Sequence, residues 1–336
     1  MILPGDPAPI FTQKCSTNWG YYSFDMAAGK YNILVFVPDI QKLFANKIMN
    51  TLQNLLELKK AIPIEIFVVT TSFDDKDIKN DNFYYIYDLD CNVHNIFGIN
   101  IDKITCVITD PMLRIKEVLP QHAISYSTIK NNLKNRSSSQ NIPIPALLLT
   151  DILEADFCHA LIHYYHYNSP TPSGFLTKNA DGLAVEKIDP MFKRRYDCKI
   201  KNQNLIKGLQ ARIIRRVVPE IRKTFQCTVT GMDRMIVSCY DAAHKGHFAP
   251  HRDNTVEGAK HRLFAISINL NDTFEGGELT FPEFSNQGFC PPAGGALIFS
   301  SALLHAVRPV TKGKRYACLP FAFNEDSINS AHQSAS

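Results

Sequence analysis

A chain of 336 residues, 45% of them hydrophobic, is long enough for two packed domains and too apolar for a disordered protein. Its formal charge of +4 excludes a global electrostatic case for nucleic acid or acidic membranes, so any basic surface must be local. The nine cysteines are scattered and contain no Cys-x-x-Cys, which fits neither a disulfide framework nor a zinc site and suits a reducing compartment.

The opening MILPGDPAPIFTQ lacks the charged start and apolar run of a secretory signal. No later stretch reaches the roughly 18 apolar residues of a membrane span, so a soluble, cytoplasmic protein is expected. The next hundred residues alternate strand-like and helix-like segments. Asn32 to Val37, Ile64 to Thr70 and Ile104 to Ile108 are short β-rich runs, and Ala45 to Lys59 has helical spacing. Such alternation predicts an α/β domain over residues 1–134. The polar, serine-rich stretch from Asn135, closed by Pro143, predicts a linker over 135–143.

Beyond the linker, Leu153, Phe157, Leu161 and Tyr165 recur every four residues, as do Leu205, Leu209, Ile213 and Val217. Both sets predict amphipathic helices. After Thr228 the pattern turns to β: Phe264, Ile266, Ile268 and Leu270 alternate with Ala265, Ser267 and Asn269, and further short runs are separated by Gly/Pro/Asn turns. Many short strands in succession predict a sandwich or jelly roll over residues 144–326, with a loose polar tail at 327–336.

Chemistry concentrates in two stretches of this second domain, HFAPHRDNTVEG and SSALLHAVRPVTKGKRYACLPF. His251 and Asp253 are two residues apart, so in an extended strand both side chains share a face. His305, from a distant strand, would complete two imidazoles and one carboxylate on one side of a metal. The open positions opposite are what iron(II) needs for a chelating cosubstrate and dioxygen. Ten residues on, Arg315 stands where a guanidinium could pair bidentately with a carboxylate reaching away from the metal.

Taken with Tyr240, Arg262, Asn269, Gly276-Gly277-Glu278-Leu279, Phe281, Pro291, Gly294-Gly295, Phe299, Pro309-Val310, Gly313 and Tyr316, this region resembles the prolyl 4-hydroxylase-like branch of the iron(II)/2-oxoglutarate-dependent oxygenases. The resemblance implies a double-stranded β-helix with flanking helices. It also implies iron(II) on His251, Asp253 and His305, and the distal carboxylate of 2-oxoglutarate on Arg315. Some animal and plant members of the branch have lysine at the position of Arg315. Tyr240 would donate a hydrogen bond to the same cosubstrate, the alternative being a buried strand aromatic satisfied locally. The reaction implied is hydroxylation by dioxygen of a peptidyl side chain such as proline, or of a small molecule, with release of succinate and carbon dioxide. Relatives that halogenate lack the carboxylate ligand, which Asp253 retains.

Neighbouring residues compete with this set. His244, His247 and His261 flank the metal stretch without sharing its face, and His247 reads as a loop residue near the substrate mouth. Asn254 reads as the start of a turn. Between Lys193 and Lys223 lie eleven Lys or Arg and two acids, Asp197 and Glu220. Because Arg212, Arg215, Arg216 and Arg222 fall on a helix with a defined apolar stripe, a solvated face is preferred there to a nucleic-acid surface. Lys193-Arg194-Arg195 lies ahead of that helix and closer to the site.

The N-terminal PGDPAPIF, NILVFVPD, FGIN and CVITDP segments resemble the peroxiredoxin branch of the thioredoxin fold over about residues 1–125. That family's attacking cysteine should follow Pro38, but the corresponding positions are Lys42 and Ala45. Peroxide reduction by the familiar route is therefore unavailable. The domain is expected to be a pseudo-enzyme that contributes stability, homodimer contacts or substrate presentation. Two rivals to the oxygenase reading remain: a thiol-based redox protein using Cys91 or Cys106, and a non-catalytic module that senses iron or 2-oxoglutarate.

Overall fold

The computed structural model describes residues 2–16, 20–41, 47–72, 82–134, 143–178 and 184–328. Positions 42 and 45, nearly all of the expected linker and most of the expected tail lie outside the described residues. Contacts within the chain divide it into two compact units, Met1–Ile142 with Pro282–Ser285 and Pro143–Phe281 with Asn286–Ser336. Most of the ordered elements are β-strands.

The first unit is built on five strands: β1 (Tyr31–Val37), β2 (Ile64–Thr70), β3 (Tyr84–Tyr87), β4 (Thr105–Thr109) and β5 (Ile115–Pro120). They lie in the order β3-β2-β1-β4-β5, with β1, β2 and β3 parallel and β4 and β5 antiparallel to their neighbours. All seven residues of β1 and of β2 are buried, which is why both are largely apolar, with Asn32, Glu65 and Thr70 the polar exceptions, rather than alternating. Helix α1 (Lys47–Leu55) connects β1 to β2 and buries Ile48, Met49, Leu52 and Leu55, the apolar side of its helical period. Helices α2 (Asn92–Phe97) and α3 (Tyr126–Lys134) complete the unit's regular helices among the described residues.

In the second unit β6 (Ala146–Leu149) and helix α4 (Ala155–Tyr167) come first. The strands β7 (Lys193–Arg194) and β8 (Tyr196–Lys199) then precede helices α5 (Gln203–Arg216) and α6 (Val218–Phe225). Asn202 caps α5, its side-chain oxygen accepting from the backbone N–H groups of Asn204 and Leu205. The remaining strands that matter are β9 (Ile236–Asp241), β10 (His247–His251), β11 (Phe264–Asn269), β12 (Leu279–Phe281), β13 (Ser285–Phe289), β14 (Ala296–Ser300), β15 (His305–Val307), β16 (Val310–Cys318) and β17 (Phe321–Phe323). The smaller sheet runs β7-β10-β15-β12-β13. The larger contains β17-β11-β16-β9-β8, with β14 pairing β11 and β6 pairing β14.

Two faces of the larger sheet have different fates. Phe264, Ile266 and Ile268 of β11 join Val237, Cys239 and Cys318 in a core with Leu161, Tyr165, Leu209, Ile213 and Ile221 from the three helices. The opposite positions of β11 carry Ala265 and Ser267, which line a cleft shared with the smaller sheet. Strand alternation thus puts a hydrophobic core and a polar site on opposite sides of one strand.

Candidate active site

The cleft encloses about 420 Å³, counting its open mouth. Tyr240, Ser267 and Arg315 contribute from the larger sheet, and Phe248, His251, His305 and Val307 from the smaller. His251 is the last residue of β10 and His305 the first of β15, and the two are direct partners in the antiparallel register. Their rings lie with centroids 4.2 Å apart. Asp253 does not continue the strand, contrary to the spacing argument that placed it on one extended face with His251. It sits in the turn after β10, anchored by its backbone N–H to the Ser301 carbonyl at 2.9 Å, and the turn carries its carboxylate back to the imidazoles.

The three side chains offer one ligand atom each within 4.8 Å of one another. Asp253 Oδ1 is 3.6 Å from His251 Nε2, and Asp253 Oδ2 is 3.2 Å from His305 Nε2. The other ring nitrogens fix the tautomers. His251 Nδ1 donates to the Ala249 carbonyl at 2.8 Å and His305 Nδ1 to the Leu303 carbonyl at 3.0 Å. A carbonyl can only accept, so in each neutral ring the proton is on Nδ1 and the lone pair is on Nε2, facing the carboxylate. Such backbone-oriented histidines are the arrangement a metal ion requires of its ligands.

Burial pushes the His251 pKa down to about 4, and the neighbouring His305 adds to the effect. Burial by itself would raise that of Asp253, but His305 and His251 outweigh it and hold the carboxyl well below its usual range. His251 is therefore neutral beside an ionised Asp253 at neutral pH.

Arg315, on β16, is only 1% exposed. Its Nε donates to Asn269 Oδ1 at 2.9 Å and Nη2 to Ser267 Oγ at 3.0 Å, while Nη1 is buried without a partner. No carboxylate lies within ion-pair distance of it among the described residues. A buried guanidinium that lacks a counter-ion is costly, so this position is built to receive an anion. Gly277, at φ +69° in the turn just before β12, lets the backbone pass close by: a Cβ there would lie 2.9 Å from Val310 Cγ2 and 3.2 Å from Arg315 Cδ.

Tyr240 is 1% exposed and lies opposite Arg315 in the register of β9 and β16. Its hydroxyl accepts from Arg195 Nη1 at 2.9 Å. Of the flanking histidines, none joins the cluster. His261 faces Asp233, His244 offers its carbonyl to Arg194, and His247, which begins β10 rather than occupying a loop, sits between the carbonyls of Lys245 and Met191. Asn254 does lie in the turn. In the basic segment, Arg212 and Arg216 both pair with Glu154, while Arg195 lines the cleft. The sequence reading placed the 193–195 stretch near the site without identifying Arg195. The signal was its position two residues before Asp197, which in a strand puts both on one face.

The pattern of the 2OG-Fe(II) oxygenase superfamily matches residues 235–322. The chain carries a 2OG-Fe(II) oxygenase domain. A PKHD-type hydroxylase of Synechococcus sp. (strain JA-2-3B'a(2-13)) is 29% identical over 167 residues, covering 41% of this chain and 74% of that protein. A PKHD-type hydroxylase of Azoarcus sp. (strain BH72) is 35% identical over 100 residues, covering 27% and 43%. Among solved structures, a prolyl hydroxylase from Trichoplax adhaerens, in complex with a peptide fragment, is 18% identical, covers 55% of this chain and 86% of that one, and has a TM-score of 0.44. The match to the oxygenase superfamily and the hydroxylase relatives support a 2-oxoglutarate-dependent enzyme that uses iron(II), 2-oxoglutarate and dioxygen.

No described helix is long and apolar enough to cross a membrane.

Proposed function

We propose that His251, Asp253 and His305 hold the iron(II), and that Arg315 and Tyr240 hold 2-oxoglutarate. The observation that carries this reading is the pairing, in one cleft, of two imidazoles with Nε2 lone pairs turned to a carboxylate and a buried guanidinium with no counter-ion. The donor set of two nitrogens and one oxygen suits iron(II), and three protein ligands leave positions for a chelating keto acid and for dioxygen. When bound, the iron supplies the oxidising chemistry that couples decarboxylation of the keto acid to hydroxylation. The chain's residues do the rest. Arg315 neutralises the distal carboxylate through the donor that lacks a partner. Ser267 and Asn269 hold the guanidinium plane, and Phe248 and Phe299 exclude water around the two imidazoles.

The substrate is read as a peptidyl side chain such as proline, or a small molecule, that enters the cleft and presents one C–H bond to the metal. Succinate formed from 2-oxoglutarate only with added iron(II), together with products heavier by one oxygen atom in either the peptide or the metabolite fraction of an extract, tests this reading. Succinate release independent of iron would defeat it, and binding of both cosubstrates with no turnover by any extract would favour a sensor.

The surrounding architecture is read as a double-stranded β-helix over residues 144–326. The N-terminal residues 1–134 are read as a thioredoxin-like domain of the peroxiredoxin type, joined through a linker at 135–143. The three parallel strands followed by two antiparallel ones support that reading. The strand thiol of Cys106 is fully buried and pushed up to about 12 by that burial, which weighs against a redox role for it. Stability, homodimer contacts or substrate presentation are the roles left to this domain, and light scattering on the full chain tests the second.

A further inference from the structure

The role given to Tyr240 leaves open what aims its proton. A phenol hydroxyl has one proton to donate and lone pairs with which to accept. Arg195 Nη1 donates to the Tyr240 oxygen at 2.9 Å, so that contact uses an acceptor position and leaves the proton uncommitted. No acceptor for it is found among the described residues, and both Tyr240 and Arg195 line the cleft.

The guanidinium of Arg195 is itself immobilised. It is 4% exposed; Nη2 donates to Asp197 Oδ2 at 2.8 Å and to Ser173 Oγ at 3.3 Å, while Nε lies 2.8 Å from Asp197 Oδ1 as an ion-pair contact without hydrogen-bond alignment. Asp197 in turn accepts from the hydroxyls of Ser173 and Ser238, each at 2.6 Å. The Nη2 hydrogen bonds, with Nε held beside the other carboxylate oxygen, orient the guanidinium, and with it the one remaining amino group. That group points at the tyrosine. An ammonium at this position would keep the charge but could not hold Asp197 and Tyr240 in one rigid plane.

We propose that Arg195 is a positioning residue for the cosubstrate: clamped by Asp197, it occupies the acceptor side of the Tyr240 hydroxyl and turns its proton toward bound 2-oxoglutarate. The inference rests on the role assigned to Tyr240 above. It makes the Asp197–Arg195–Tyr240 series one functional unit in the cleft that also holds Arg315.

The test is calorimetric titration of 2-oxoglutarate into the full chain loaded with manganese(II), which binds without turnover. Tyr240→Phe and Arg195→Met should each weaken 2-oxoglutarate binding about tenfold, the effect of a lost hydrogen bond to a charged group. The double variant should bind no more weakly than Tyr240→Phe alone, because Arg195 acts only through the proton that Tyr240→Phe already removes. Manganese affinity should stay at the wild-type value in all three, and Arg195→Lys should behave as Arg195→Met does. Wild-type binding by Arg195→Met beside a weakened Tyr240→Phe overturns the inference while leaving the role of Tyr240 intact. Additive losses also overturn it, since Arg195 would then act on the cosubstrate independently. Wild-type binding by Tyr240→Phe removes the role of Tyr240 and the inference with it. Arg195→Met leaves Asp197 buried beside a missing partner, so if it does not fold, Arg195→Met combined with Asp197→Asn takes its place with the same outcomes.

Discussion

Two histidine–aspartate clusters, a fully buried pair in the first unit and a partly buried trio in the second, have similar composition and opposite character. In the first, the Asp88 carboxylate accepts from His94 Nδ1 at 2.6 Å and from the backbone N–H groups of Val93 and His94 at 2.8 and 2.9 Å. Its acceptors are saturated by the start of helix α2, and His94 packs its ring against Phe36. Burial would raise the Asp88 pKa, but His94 and those N–H groups more than offset it. In the second, the Nδ1 atoms of His251 and His305 are turned away to backbone carbonyls, and Asp253 meets only Nε2 atoms at 3.6 and 3.2 Å. In the first pair the carboxylate and Nδ1 satisfy each other, and His94 Nε2 is buried with no hydrogen-bond partner and no second ligand-type side chain beside it among the described residues. The second keeps its Nε2 lone pairs directed at a common carboxylate, and that difference, rather than residue type, separates a structural pair from a candidate ligand set.

The sharpest way to break this contrast is to exchange the consequences of mutation. His251→Ala should reduce iron-dependent succinate formation by at least about a thousandfold, beyond the 10–100-fold typical of losing an outer partner. A similar loss on changing His94 would erase the distinction.

A pH series on the metal-free chain comes next. The folded pKa of His251 lies below its ordinary 6.5, at about 4, so the unfolded chain binds a proton there before the folded one does. Stability is then unaffected above pH 6.5 and falls as pH drops from 6.5 to about 4, with Asp253 adding a loss at still lower pH. The His251 part amounts to at most about 3 kcal/mol. Urea midpoints measured across this window should decline for the parent chain and decline less for His251→Asn.

Asp88→Asn should cost about 2 kcal/mol in urea unfolding, the penalty of leaving buried donors poorly matched, while 2-oxoglutarate turnover per folded molecule is unchanged. Loss of turnover in that variant would mean the first pair is not merely structural. The smallest expected effect is at Arg315. Replacement by lysine keeps a cation but loses the fork, and should raise KM for 2-oxoglutarate about tenfold with little change in kcat. An unaltered KM would show that the unpartnered Nη1 is not where the cosubstrate binds.

Much of the site was legible because the chemistry depends on few residue types at fixed separations. His251, Asp253, His305 and Arg315 could be singled out from spacing and resemblance, and the structure brings all four to one cleft. The strands β1 and β2 were equally plain, since short runs rich in β-branched and aromatic residues favour a strand. The path by which Asp253 arrives was not legible. The strand ends at His251 and a turn anchored to Ser301 completes the approach, a long-range contact that no local period encodes. Arg195 was harder still, because a lysine- and arginine-rich stretch looks the same whether its side chains face solvent or a cleft.

The sequence by itself determined which atoms are available: two imidazoles, a carboxylate and a guanidinium, on segments whose alternation commits one face to the core and the other to a polar site. Only the tertiary structure decided which of those atoms are already satisfied. Whether Nδ1 meets a carbonyl, whether Nη1 meets anything, and whether Arg195 is clamped by Asp197 are matters of distance between remote strands. A hydrogen bond's existence turns on a few tenths of an ångström, which only the packed chain sets.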